Sequence, residues 1–296
     1  MRSVTILCIV LSVWFALPCQ AQMDEAYRLA NEMVREKLAR EDTANIRILD
    51  GLKTSDVIVV DGSYDHIHNV LESLKIPFAR IGQHDLLKAK LEPHQTVFVN
   101  CSASFPNGAA RKLAAFVAAG GMLITTDWAL THVIEAAFPN TIAYNRVPTG
   151  DDVVRIEVTD RKDSLLSGFL DEKAAPVWWL ESSSYPIKVL DKERVKVLIR
   201  SAELKQKYGE EAVVVSFDHG KGTVYHMISH FYLQRTETRD QRQTLAASEY
   251  FKDKGASSEK IRKAEATKVT YGEIQSANTS ADFVSRMIIK QKKKIK

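Results

Sequence analysis

The sequence predicts an α/β fold with a mainly parallel sheet, and three observations carry that prediction. Short continuous runs of β-branched and aliphatic residues, DVIVVDG at 56–62, VFV at 97–99 and MLITT at 122–126, have the pattern of strands buried on both faces. Segments with helical apolar spacing lie between them. The Gly120-Gly121 pair stops one of these helices just before the next strand. Strands alternating with helices in this way imply right-handed crossovers, with helices on both faces of the sheet.

Taken in order, residues 24–40 put Ala26, Leu29, Ala30, Met33 and Leu38 at roughly helical spacing, so they form a surface helix packed on one face. The strand at 56–62 is followed by a helix at 66–74 with Ile67, Val70, Leu71 and Leu74 on one side, then by a short strand, PFARI, at 77–81. His84-Asp85 opens the next loop or helix. The third strand at 97–99 leads into an amphipathic helix at 109–119 with Leu113, Phe116 and Val117 inward. The fourth strand at 122–126 leads, through a sharp turn, into a helix at 129–138. A three-layer sandwich with flavodoxin-like strand order is the expected fold. Its ligand crevice lies at the carboxyl ends of the strands.

The second half reads differently. Strand-like runs at 153–159, 177–180, 188–190, 195–201, 212–217 and 223–228 are separated by Gly, Asp and Lys turns, and HGKG at 219–222 joins the last two as a hairpin. These runs are expected to extend the parallel sheet with antiparallel members. Residues 235–268 are highly charged and poor in large apolar side chains, which predicts an exposed helix or a mobile insertion. Thr279 or Ser280 is expected to cap a closing helix at 281–289 that returns Phe283, Val284, Met287 and Ile288 to the core.

Composition bounds the function. The chain has 296 residues, 45% hydrophobic and 26% charged, enough for one large α/β domain or two small ones. Residues 1–21 read as a secretory signal peptide: Arg2, an apolar run at 4–17 too short to span a bilayer, and small residues before a cut near Ala21. That predicts an exported chain with no transmembrane helix once mature. Of the three cysteines, Cys8 and Cys19 leave with the signal, and Cys101 alone cannot form an internal disulfide. The net charge of +4 sits in the lysine-rich end: the mature chain has 40 bases against 37 acids, and without Lys290, Lys292, Lys293, Lys294 and Lys296 it has 35. Nucleic-acid binding is therefore not expected, and the tail reads as a solvated terminus. The expected division is signal peptide (1–21), α/β domain (22–232), charged helical or mobile insertion (233–278), and closing helix with lysine tail (279–296).

Three stretches carry a family resemblance: LAAFVAAGGMLITT; VTDRKDSLLSGF, followed by Trp178-Trp179-Leu180-Glu181; and AVVVSFDHGKGTVYHMISHF, ending in Ser229-His230. In this order they resemble the class I glutamine amidotransferase-like superfamily, and within it the trehalose-utilisation (ThuA-like) group, over most of residues 55–232. The resemblance implies a nucleophile on the sharp turn after the fourth strand, exposed to backbone N–H donors. That turn here reads Thr126-Asp127-Trp128-Ala129, with no cysteine. The family's later His and Glu would fall on His230 and Tyr232, so the acid at that position is absent as well. Glutaminase chemistry is not expected.

The candidate site residues follow from position. Asp127, Glu181 and His230 are the candidates for acid–base or metal-assisted chemistry. Asp61, Ser63, Cys101, Ser102, Thr126, Asp127, Trp128, His230 and Tyr232 are candidates for ligand contact at the strand ends. His226 and His230, four apart along a strand, could face one way and bind a metal with Glu181, or form an ordinary hydrogen-bonded pair. Asp61 and Asp127 could hold a cation or polyol, or serve as helix caps. Cys101 reads as a small buried residue. No cofactor is expected. The expected function is an exported, non-catalytic amidotransferase-like domain that binds a small ligand or a protein partner. The alternative is a carbohydrate-related hydrolase or isomerase using Asp127, Glu181 and His230, with or without a metal ion.

Overall fold

The computed structural model describes residues 13–170, 176–233 and 238–294. Most of the expected signal peptide lies outside the described residues, and the expected cut near Ala21 falls within helix α1 (Val13–Glu41). From Met23 onward α1 buries Ala26, Tyr27, Leu29, Ala30, Val34 and Leu38, the one-faced packing that the spacing predicts. Among the described residues no helix is long and apolar enough to cross a membrane. Asp42 caps α2 (Thr43–Asp50) by accepting the Ala44 N–H at 2.9 Å.

The alternating half forms as the pattern requires. β1 (Val57–Val60), α3 (Ile67–Ser73), β2 (Ala79–Ile81), β3 (Thr96–Val99), α4 (Asn107–Ala119) and β4 (Met122–Thr126) follow in order. β1, β3 and β4 are buried on both faces. The segment after β4 is a wider π turn at Leu130–Ile134 running into the short α5 (Glu135–Ala137). The second half supplies β5 (Ile142–Tyr144), β6 (Asp152–Arg155), β7 (Glu157–Val158), β8 (Val177–Leu180), β9 (Ile187–Val189), β10 (Lys196–Arg200), α6 (Ala202–Tyr208), β11 (Ala212–His219) and β12 (Gly222–Met227). The main sheet has the order β2-β1-β3-β4-β12-β11-β10-β7, with β9 and β5 attached beside β11. The pairs from β2 to β12 are parallel and those beyond are antiparallel. The fold is a flavodoxin-like α/β sandwich with helices on both sides.

Two strands leave that sheet. The run at 153–159 breaks at Ile156, and β6 pairs with β8 in a separate two-stranded ladder. This ladder has its own apolar support. Trp178 stacks on Phe169 at 5.8 Å between centroids, and its Nε1–H donates to the Ile228 carbonyl at 3.0 Å. Detached from the main sheet, β8 carries Glu181 to the strand ends.

The C-terminal region departs furthest from expectation. Residues 247–265 form α7 (Ala247–Asp253) and α8 (Ser258–Glu265), and Ala247, Tyr250, Phe251 and Ala264 are buried. The described part of the charged segment is helical, as expected; α8 is an exposed helix with Ala264 alone buried, while α7 packs Ala247, Tyr250 and Phe251 inward, and Arg235 lies outside the described residues. The closing helix is α9 (Tyr271–Lys294), which starts ten residues before the expected helix and ends five residues after it; its start is set by a reciprocal cap between Thr270 and Glu273: the Thr270 N–H donates to Glu273 Oε2 at 2.7 Å and the Glu273 N–H to Thr270 Oγ1 at 3.3 Å. Thr279 and Ser280, expected as caps, sit inside α9. The lysine end is also held. Lys292 pairs with Asp56 and Lys293 with Asp42, each at 3.0 Å, and buried Gln291 donates to the Pro93 and Gly120 carbonyls.

Candidate functional site

The site is built from the ends of β3, β4, β8 and β12 and the loop after β1. At the end of β4, Asp127 has φ 46, a left-handed conformation that Asp tolerates better than most residues. The sharp turn expected after this strand therefore forms with a carboxylate at its apex. That carboxylate is held on both sides: Oδ1 accepts the Tyr185 N–H and Oδ2 the Ser184 hydroxyl, each at 2.8 Å. β12 ends at Met227, and Ser229, with φ 67, turns the chain so that His230 enters the same crevice. Left-handed non-glycine residues store strain, and here two of them present reactive side chains.

His230 lies between two carboxylates. Its Nδ1 hydrogen-bonds Glu181 Oε2, and its Nε2 is 3.5 Å from Asp127 Oδ2. The His230 and Asp127 side chains are 7% and 3% exposed while Glu181 is 27% exposed, so Glu181 is the member that meets solvent. Cys101 arrives from the end of β3. Its Sγ, an Asp127 oxygen and a His230 ring nitrogen all lie within 4.8 Å of one another. Asp65, from the loop after β1, is buried and accepts the Thr126 hydroxyl at 2.8 Å.

Burial and mutual charge tune these groups. Burial pushes the Asp127 carboxyl up to about 6, against the opposing pull of His230. Burial likewise raises Asp65 and the Cys101 thiol. For His230 burial acts downward, but the neighbouring Cys101 sulfur, the Glu181 hydrogen bond and the Asp65 charge hold its pKa well above the ordinary value.

Beside Asp127 runs an aromatic wall. Tyr64 meets Trp128 edge-on at 5.0 Å, Trp128 stacks on Tyr185 at 5.5 Å, and Tyr185 stacks on Tyr144 at 3.8 Å. The Trp128 Nε1–H is anchored on the Ser183 carbonyl at 2.7 Å. Tyr64 is 53% exposed.

The structure thus joins Asp127, Glu181, His230 and Cys101, with Trp128 beside them and Thr126 buried beneath on Asp65, and disperses the rest. Asp61 pairs with Arg80, away from Asp127, because β3 lies between β1 and β4 and the Asp61 N–H continues the ladder toward β2. Ser63 Oγ accepts the Ala103 N–H at 3.2 Å and ties two loops together. The Ser102 hydroxyl is engaged by Gln83 and the Asn100 carbonyl. Tyr232 stacks on Tyr27 at 5.0 Å and its hydroxyl donates to Asp24, so it serves the packing of α1. His226 does not join His230. The left-handed Ser229 breaks the strand alternation between them, and His226 instead bonds Thr125 Oγ1 at 2.8 Å. The acid beside His230 is Glu181, just beyond the end of β8. Cys101 is small and buried as expected, but it also belongs to the reactive cluster.

Sequence reasoning missed Asp65, Ser184, Tyr185, Tyr64 and Tyr144. Asp65 had a signal, a carboxylate just before a helix at a parallel-strand end. The tyrosines had none, since they meet only through the fold.

No protein-family model matches the chain, and no curated protein matches it. Among solved structures it is similar to a GH42 β-galactosidase from G. stearothermophilus, at 15% identity over 59% of this chain and 27% of that one, with TM-score 0.40. It is also similar to a β-galactosidase from Bacillus circulans, at 13% identity over 62% and 30%, TM-score 0.40. A ThuA-like protein from Bacteroides uniformis matches at 10% identity over 58% and 80%, TM-score 0.39. The chain spans less than a third of either β-galactosidase. These likenesses are of fold.

Proposed function

We propose that the chain is a small-molecule enzyme whose reacting centre is Asp127, Glu181 and His230. Its substrate is a hydroxyl- or carbonyl-bearing compound of the carbohydrate class, seated against Tyr64, Trp128 and Tyr185. One observation carries this reading: two carboxylates from separate strand ends converge on one imidazole from a third, with the imidazole and one carboxylate almost fully buried. Buried groups of opposite charge with displaced pKa values are the ordinary equipment of acid–base catalysis. Aromatic faces suit the C–H faces of a sugar ring, and Glu181 is the route by which a proton leaves or enters. Export after cleavage near Ala21 belongs to the same proposal, and N-terminal sequencing of the secreted chain tests it.

A binding role without turnover is the second reading. It is favoured by the burial of Asp127 and His230, since a ligand meets Glu181 and the rings before it meets the imidazole. A thermal-shift screen against sugars and polyols, followed by NMR of each hit over time, separates the two. A ligand that binds the native state raises the melting temperature by mass action. Conversion of a hit, lost in Glu181→Gln and weakened in Trp128→Ala, supports the enzyme. Binding without conversion supports the second reading, and no hit from folded protein overturns both.

A further inference from the structure

We propose that this crevice binds a divalent transition metal of the zinc class through Cys101 Sγ, an Asp127 carboxylate oxygen and His230 Nε2. The proposal deepens the reading above and shares its crevice. On it, Asp127 and His230 hold an ion that would polarise an oxygen of the bound compound, and proton exchange is left to Glu181.

Four observations carry it. The three donor atoms come from three strand ends and lie within 4.8 Å of one another. Zinc bonded tetrahedrally to nitrogen, oxygen and sulfur sets its donors about 3.3–3.6 Å apart, by the usual bond lengths. The Nε2-to-Oδ2 separation of 3.5 Å already meets this. Second, Nε2 of His230 is buried and makes no hydrogen bond of ordinary geometry, an expensive state for an imidazole nitrogen unless something else occupies it. Third, each donor is aimed from behind. His230 is bonded to Glu181 through Nδ1, the carboxylate–histidine pairing that orients metal-binding imidazoles. Asp127 is fixed by Ser184 and Tyr185, and the Trp128 backbone N–H faces the Cys101 sulfur. Fourth, the donor set selects the ion. One thiolate, one imidazole and one carboxylate suit zinc or cobalt, whereas magnesium and calcium take oxygen ligands. Three protein donors leave a fourth position for a ligand, as in catalytic rather than structural zinc sites.

The test uses the full chain with Cys8→Ser and Cys19→Ser, so that Cys101 is the one thiol. Titration with cobalt(II) is followed by absorption, and zinc retained after desalting is measured by mass spectrometry. The expected result is one metal per chain and a thiolate-to-cobalt charge-transfer band in the near ultraviolet. That band disappears in Cys101→Ser with the circular dichroism unchanged. Glu181→Gln, which leaves all three donors in place, weakens zinc binding by about 10–100-fold. A folded chain that gives no charge-transfer band and retains no zinc overturns the proposal, as does metal binding unchanged by both Cys101→Ser and Glu181→Gln. Neither readout depends on the sugar screen. A band without a sugar hit keeps the metal and sinks the substrate class, and a sugar hit without a band does the reverse.

Discussion

Replacing Arg286 by Met removes the cation from a buried charge network and is the sharpest stability test of how α9 is seated. Asp282 is fully buried on α9, and Arg286 one turn later bonds it through Nε at 2.6 Å while reaching Glu41 on α1 at 2.7 Å. Breaking a buried pair by removing one partner leaves an uncompensated charge and costs about 3–5 kcal/mol. Lys37, 3.3 Å from Asp282 and one-third exposed, remains as a partial substitute, so the loss belongs near the lower end, about 3 kcal/mol. For a chain of this size that lowers the melting temperature by about 5 °C. The double variant Asp282→Asn, Arg286→Met removes both charges and should recover most of the loss. Circular dichroism melts and urea titrations of the three proteins measure this. A single variant costing less than about 1 kcal/mol, or a double variant no better than the single, refutes the reasoning. The result bears on the site as well. Phe283, on the same helix, packs edge-on against Phe169 at 5.1 Å, and Phe169 supports Trp178 beneath the strand that carries Glu181.

Other expectations are shorter. Gly62→Ala would set a Cβ 2.3 Å from the Cys101 carbonyl, so it should destabilise by about 1–3 kcal/mol and weaken ligand binding at the crevice, both read by thermal shift. His226 is held neutral by burial, its pKa pushed down to about 3. The unfolded chain protonates this residue first, so stability is unaffected above about pH 6.5 and falls as pH drops toward 3. The loss reaches roughly 3 kcal/mol at pH 4, and His226→Gln should flatten that part of the pH–stability curve. Glu203 is held down at about 2, first by its Arg239 hydrogen bond. Its contribution is present above the usual carboxylate range and is lost as pH falls from about 4.5 toward 2, a loss that Glu203→Gln should remove from an acid titration. Truncation after Ile289 removes the Gln291 bonds and the Lys292 and Lys293 ion pairs. It should lower the melting temperature measurably, where a solvated tail would leave it unchanged.

Local pattern was enough for the alternating half of the chain. Runs such as VIVV and MLITT are buried on both faces only in a parallel sheet, and Gly120-Gly121 marks where a helix must stop. The sharp turn with Asp127 at its apex was legible too, because a strand, a short polar break and a helix leave the chain little choice there. The start of α9 was equally legible in Thr270-Tyr271-Gly272-Glu273, a reciprocal capping pattern set within a highly charged stretch. Charge density misleads in this region because α9 is buried on nearly all sides from Tyr271 to Ile289, and only its lysine end emerges to reach Asp42 and Asp56.

What only tertiary structure decided is which side chains meet. The partner of His230 is far along the chain, on a strand that pairs outside the main sheet, and no spacing rule connects Glu181 to position 230. His226 and His230 share a periodicity in the sequence, yet one left-handed residue, Ser229, sends them apart. Asp61 and Asp65 sit four residues apart after the same strand; one pairs with a surface arginine and the other is buried beside Thr126. The sequence by itself determined the layers and the edge where a ligand would lie, since burial and capping act over a few residues. The chemistry at that edge depends on contacts between segments from tens to more than a hundred residues apart, and those exist only once the fold has brought four strand ends together.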